Sequence, residues 1–183
     1  MKRTTMFICC LIVCCASLPL LARQAHEAGQ KQVGAKAIAI LSPTKGSTVS
    51  GIVTFEFVEN GVRVVADVKG LTPGKHGFHV HDYGDCSADD ASSAGGHFNP
   101  SSMPHSMPTS EKRHAGDMGN LEADKYGKAH LDYVDMAMML TGEQTIVGRA
   151  VIVHEKEDDL KTQPTGAAGA RLACGVIGVA KPK

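Results

Sequence analysis

The chain of 183 residues has no tryptophan, three tyrosines and five phenylalanines, so aromatics make up only 4% of it. A core with so few large rings has to be closed by small and branched aliphatic side chains. Neither sign of charge dominates: 19 basic and 19 acidic residues balance at neutral pH. That removes the basic footprint on which nucleic-acid binding depends. No stretch carries the 3.6-residue apolar period of a long helix, no internal repeat is visible, and no linker divides the chain. The one apolar run near the start, Met6 to Leu21, is too short and too early for a convincing membrane span.

Preceded by Lys2 and Arg3, that run has the pattern of a secretory signal. Cleavage is expected near residues 22 to 25, after the small Ala22, although Leu20 is bulky for the position two before it. Cys14 and Cys15 raise a lipid-modified cysteine, but Val13 is a poor match to the small residue such processing wants, so no stable membrane association is expected. Losing Lys2 and Arg3 with no acidic residue leaves the mature chain slightly acidic. Beyond Cys9, Cys10, Cys14 and Cys15 only Cys86 and Cys174 remain. Exported compartments let disulfides persist, and two thiols have a single internal pairing. Closing so long a loop contributes on the order of 4–5 kcal/mol in the chain-entropy model. Residues 1–22 are thus read as the signal, 23–34 as a flexible polar tether, and 35–181 as one domain.

Twenty glycines and eight prolines supply many turns. Lys36 to Leu41 reads as a first strand, and Ile52 to Val58 as a second. Asn60-Gly61 favours a tight hairpin turn before the clearest half-buried strand, in which Val62, Val64, Ala66 and Val68 alternate with Arg63, Val65 and Asp67. Further strands are expected around His79, near 116–121 and 128–134, over 149–154 and over 171–179. Residues 82–112 and 156–169 carry no periodicity, and loops of such length are uncommon unless functional or disordered. The fold class is all-β, about eight short strands in a sandwich or barrel.

The nine histidines are many for this length. His79 and His81 stand at i and i+2 on a strand, so both imidazoles point the same way and make half of a metal site. His97, His105, His114 and Asp117 follow, and His154 comes later. Imidazole suits copper, zinc, iron and nickel, and a carboxylate is acceptable to zinc. Together they fall one ligand short of two four-coordinate metals, unless one imidazole bridges both. His26, His76 and His130 read as surface residues, and Met103 and Met107 as loop filler rather than soft copper ligands. Asp158 lies in the charge run Glu155 to Asp159, the pattern of a solvated face.

Four separated stretches, Gly77-Phe78-His79-Val80-His81, Gly95-Gly96-His97-Phe98-Asn99-Pro100, Arg113-His114-Ala115-Gly116-Asp117 and Gly169 to Ile177, resemble the signatures of the copper/zinc superoxide dismutases. The resemblance runs from about Lys36 to Ala180. It implies an eight-stranded Greek-key β-barrel or sandwich of immunoglobulin-like architecture, one copper and one zinc ion per subunit, and superoxide as substrate. It assigns copper to His79, His81, His97 and His154, and zinc to His97, His105, His114 and Asp117. His97 becomes the bridge, which lets go of reduced copper, takes a proton and gives it to peroxide. Arg171 becomes the cation that holds the anion beside copper. Cys86 and Cys174 become the intrachain disulfide, and Asp158 the link between a copper-bound and a zinc-bound histidine.

The pattern is departed from in places. The loop from His154 to Arg171 is short, has Pro164 where many members have lysine, and lacks their glutamate pair. Ser106 replaces an expected glycine, and Cys86 follows Gly84-Asp85 closely, which looks like the bacterial branch. The periplasm is therefore the first compartment expected and secretion the second, with a homodimer as the assembly the family suggests. Two rivals compete: a store of copper and zinc without turnover, which has no need of Arg171, and a structural relative that has lost one metal, which has no need of the complete ligand set. No Cys-x-x-Cys module is present, so the chain carries no copper-delivery module of its own.

Overall fold

The computed structural model describes residues 34–181. The expected signal and most of the expected tether lie outside the described residues. Eight strands follow in chain order: β1 (Lys36–Pro43), β2 (Ser50–Val58), β3 (Gly61–Lys69), β4 (Gly74–His81), β5 (Asp117–Ala123), β6 (Lys128–Asp135), β7 (Ala150–His154) and β8 (Arg171–Val179). The only helical element among the described residues is a 3₁₀ turn, Ser92–Ala94. All neighbours are antiparallel, and the strands close into a barrel in the order β1-β2-β3-β6-β5-β4-β7-β8. β4, β5 and β6 form a meander, and β7 returns by a long connection to lie beside β4, which is a Greek key.

A hairpin forms between β2 and β3, one residue earlier than the Asn60-Gly61 pair implies: Val58 pairs with Gly61 across the two-residue turn Glu59-Asn60. Gly61 has φ +141°, and a Cβ there would run into the Asp135 carbonyl. In β3 the alternation places Val62, Val64, Ala66 and Val68 in the core and leaves Arg63 and Asp67 outside. Phe55, Phe78, Val53, Leu121, Ile146 and Ile177 fill the barrel, with Ala37, Ala39, Ala66, Ala123 and Ala129 between them. The scarcity of rings is met by alanines that let opposite strands approach.

β4 is buried on both sides for most of its length. Phe78 and Val80 face the core, while His79 and His81 face outward and are covered by the two irregular segments. The segment between β4 and β5 is laid along the β4 edge: Phe98 N–H donates to the Val80 carbonyl, and Val80 N–H to the Gly116 carbonyl, both at 2.9 Å. It is fixed at three further points. Cys86 and Cys174 are bonded, with Cα atoms 5.8 Å apart, tying it to β8. The Arg149 guanidinium lies 3.5 Å over the Phe98 ring and donates to the Asp82 carbonyl. Arg113 donates to a carboxylate oxygen of buried Asp135 at 2.6 Å and to the main-chain carbonyls of His114 and Asp117. Such a buried pair is worth keeping intact, because removing one partner strands the other charge.

Candidate metal centre

The barrel and the covering segments bring all the predicted ligands together in two groups that share one residue. His79, His81, His97 and His154 each offer a nitrogen within 4.8 Å of the others, and His97, His105, His114 and Asp117 form a second group on the same scale; all are buried. The division of labour between elements follows from the fold. His79 and His81 ride on β4 and His154 on β7, which pair directly, so three ligands of the first group are set by the sheet. The second group draws three histidines from the irregular segment, with only Asp117 at the start of a strand.

Within the first group, one ring nitrogen of each histidine is engaged by an oxygen. His79 Nε2 donates to Asp158 Oδ2 at 2.7 Å, His81 Nδ1 to the Gly95 carbonyl at 2.9 Å, and His154 Nδ1 to the Gly169 carbonyl at 3.3 Å. His97 Nδ1 lies 2.9 Å from Asp117 Oδ1. The opposite nitrogens therefore carry the lone pairs. His81 Nε2 and His154 Nε2 face each other at 3.3 Å, and His79 Nδ1 and His97 Nε2 are buried without any hydrogen-bond partner. Buried nitrogens are normally satisfied, so two orphans in one group of four imidazoles fit a set that would hold a metal. Burial pulls the His79 and His81 values down and those of His97 and His154 to about 4 and about 3, so the rings are neutral near pH 7, as ligation needs.

In the second group three Nδ1 atoms, of His97, His105 and His114, converge on Asp117 Oδ1 at 2.9, 3.0 and 3.1 Å. The other carboxylate oxygen is held by the N–H groups of Ser106 and His114. Burial works to raise Asp117, but its hydrogen bonds to His105, His114 and His97 overcome this and hold it far below the usual carboxylate range. Tetrahedral zinc with bonds of roughly 2.0–2.1 Å sets its ligand atoms about 3.3 Å apart, the scale of this cluster. Four imidazoles suit copper, and three imidazoles with a carboxylate suit zinc. The donor sets fit the two metals.

Asp158 is buried rather than solvated. Its Oδ2 meets His79 and its Oδ1 accepts from His105 Nε2 at 2.9 Å, linking the two groups through the ring nitrogens opposite their Nδ1 atoms. Gly166, at φ +67°, stands against it so closely that a Cβ would overlap the carboxylate. Burial raises Asp158, but hydrogen bonds to His105 and His79 outweigh it and hold the group well below its ordinary value. His105 is opposed by burial yet lifted to about 9 by Asp117 and Asp158. Arg171 donates to the carbonyls of Ala91 and Gly95, each at 2.6 Å. Gly95 also accepts from His81, so one carbonyl separates the guanidinium from the first group. Burial lowers Arg171, from a value so high that it stays charged.

One reading fails. His76, expected at the surface, is 2% exposed. It shares the parity of Phe78 and Val80 on β4 and so faces inward, with Nδ1 against the His154 carbonyl and Nε2 against the Thr72 carbonyl, both at 2.9 Å. That parity was the available signal, and His76 braces the main chain at His154. His130 is exposed beside Asp67 as expected, and His26 lies outside the described residues. Met103 and Met107 are partly exposed.

The sequence profile of "Copper/zinc superoxide dismutase (SODC)" matches residues 49–177. A "Superoxide dismutase [Cu-Zn]" of Onchocerca volvulus is 45% identical over 154 residues, spanning 78% of this chain and 95% of the relative. An "Extracellular superoxide dismutase [Cu-Zn]" of Brugia pahangi is 42% identical over 154 residues, 79% of this chain and 76% of the relative. Among solved structures, that of the clock protein EA4 superposes with a TM-score of 0.74 at 43% identity, covering 81% of this chain and 96% of that one.

Proposed function

The chain belongs to the copper/zinc superoxide dismutase family, and we propose that it disproportionates superoxide with copper on His79, His81, His97 and His154 and zinc on His97, His105, His114 and Asp117. The observation that carries this reading is the double use of His97, whose Nδ1 joins one ligand group while Nε2 is an orphan aimed into the other. Bound copper would supply two accessible oxidation states, so that two superoxide anions and two protons become dioxygen and hydrogen peroxide, and zinc held by the second group would be redox-silent. Arg171, held by the Ala91 and Gly95 carbonyls, binds the anion next to the first group. The Cys86–Cys174 bond joins the segment bearing those carbonyls to the strand bearing Arg171, three residues from Cys174. His97 Nε2 is the atom placed to take a proton and pass it to the peroxide. Asp158 and Asp117 hold the rings in the orientation ligation requires.

The disulfide and the relative named extracellular support export, and that relative favours secretion over the periplasm. Residues 1–22 are assigned as the signal, 23–34 as a tether and 35–181 as the enzyme domain. A homodimer is assigned to the outer face of β1 and β8, where Ile40 and Val176 are 56% and 45% exposed on adjacent strands. Sedimentation of the mature chain tests the dimer.

The function is tested by superoxide removal by the chain from residue 23, loaded with both metals, beside Arg171→Ala. A fast, copper-dependent rate that falls about tenfold or more in the variant is predicted. Two tightly held metals with no turnover would leave metal storage as the better account.

A further inference from the structure

The segment between β7 and β8 is shorter than the family resemblance leads one to expect, yet it reaches the second ligand group twice. Asp158 holds the His105 ring, and five residues on, Gln163 holds the His105 main chain. Gln163 Oε1 accepts from the His105 N–H at 2.7 Å, and Gln163 Nε2 donates to the His105 carbonyl at 2.8 Å. This reciprocal pair reproduces one rung of an antiparallel ladder with a side-chain amide in place of a strand. Asn120 on β5 grips the main chain of Asp158 in the same way, at 2.8 and 2.9 Å. The chain of fixed points runs from the barrel through Asn120 to Asp158 and Gln163, and from there to His105.

His105 needs such a hold. Among the described residues no main-chain group pairs with its N–H or carbonyl, so Gln163 satisfies both. His79, His81 and His154 sit on strands whose ladder bonds place them, whereas His105 stands in an irregular stretch beside exposed Met103 and Met107. We infer that Gln163 is a positioning residue that builds the zinc half of the centre in advance of the metal, by locking the backbone of His105 while Asp158 locks its ring. The inference rests on the zinc assignment made above. Sites whose outer partners are removed lose about tenfold to a hundredfold in metal affinity, and a backbone hold belongs at the lower end of that range.

The test uses Gln163→Ala and Gln163→Glu; the second keeps the acceptor for the His105 N–H and cannot donate to the carbonyl. Hydrogen exchange at the His105 amide is read in the metal-free protein, and release of each metal to a chelator is read in the loaded protein. The wild-type amide is protected without metal, and Gln163→Ala speeds its exchange at least tenfold. Zinc leaves Gln163→Ala about tenfold faster, with Gln163→Glu between it and wild type, while copper release stays within twofold. Zinc release within twofold of wild type in both variants overturns the inference. So does a joint acceleration of copper and zinc with a fall in the thermal midpoint, which marks a general loosening. A wild-type protein that retains no zinc contradicts the zinc assignment instead, and the exchange rate in metal-free protein still judges the clamp.

Discussion

Replacing Asp158 by asparagine isolates the link between the two ligand groups. The buried carboxylate receives three N–H groups: His79 Nε2 at 2.7 Å on Oδ2, and His105 Nε2 at 2.9 Å with the Leu160 N–H at 2.7 Å on Oδ1. Asparagine keeps the shape but loses the charge and turns one acceptor into a donor; with the Leu160 N–H and His105 Nε2 both on Oδ1, the amide oxygen stays there and the His79 ring faces the NH₂ group. A neutral imidazole relieves that contact by moving its proton to Nδ1, which is the nitrogen each of these rings presents to its ligand group. Losing a hydrogen bond to a charged acceptor costs about 1.5–3 kcal/mol, or roughly tenfold to a hundredfold in affinity. His79 loses its acceptor although β4 still places it, and His105 keeps an acceptor that no longer carries charge, so both halves weaken. Chelator competition for each metal, on wild type and Asp158→Asn, reads the two halves separately. Both affinities unchanged within twofold would refute the reasoning.

Opening the Cys86–Cys174 bond, whose partners lie 88 residues apart, lowers stability by about 4–5 kcal/mol on the chain-entropy account. It also slows superoxide removal at full metal load, since the carbonyls docking Arg171 lose their tether. Urea midpoints and rates for Cys174→Ser check both, and an equally stable, equally fast variant contradicts them. The metal-free protein is most stable near pH 6.5. His97 and His154 are depressed to about 4 and about 3, so stability present above pH 6.5 is lost as pH falls toward those values, by about 2 kcal/mol for each group at pH 5. His105, raised to about 9, works oppositely: its contribution is full below pH 6.5 and is lost as pH rises through 9. Urea midpoints at pH 5, 6.5 and 9 check the maximum, and a flat profile would count against it.

The barrel was legible wherever a strand has one face in water. β3 could be read residue by residue because Arg63 and Asp67 mark its outside. The ligands were legible because metal binding restricts residue type so strongly that His79 and His81 at i and i+2 admit few other roles. Residue type alone points His76 to the surface, whereas its parity with Phe78 and Val80 places it inside. Gln163, Asn120 and the Arg113–Asp135 pair leave no signal in the sequence, because each acts across an irregular path where spacing carries no phase. Asp158 was recovered only through the family resemblance, since a local charge run says nothing of the two rings that bury it.

The central claim is that one imidazole serves two different metals. Anomalous diffraction at the copper and zinc edges, on crystals of the loaded protein, tests it most directly. Copper is predicted at His79 Nδ1, His81 Nε2, His97 Nε2 and His154 Nε2, with zinc at the Nδ1 atoms of His97, His105 and His114 and at Asp117 Oδ1. A single ion, or two ions of which either lies outside bonding distance of His97, would contradict the account.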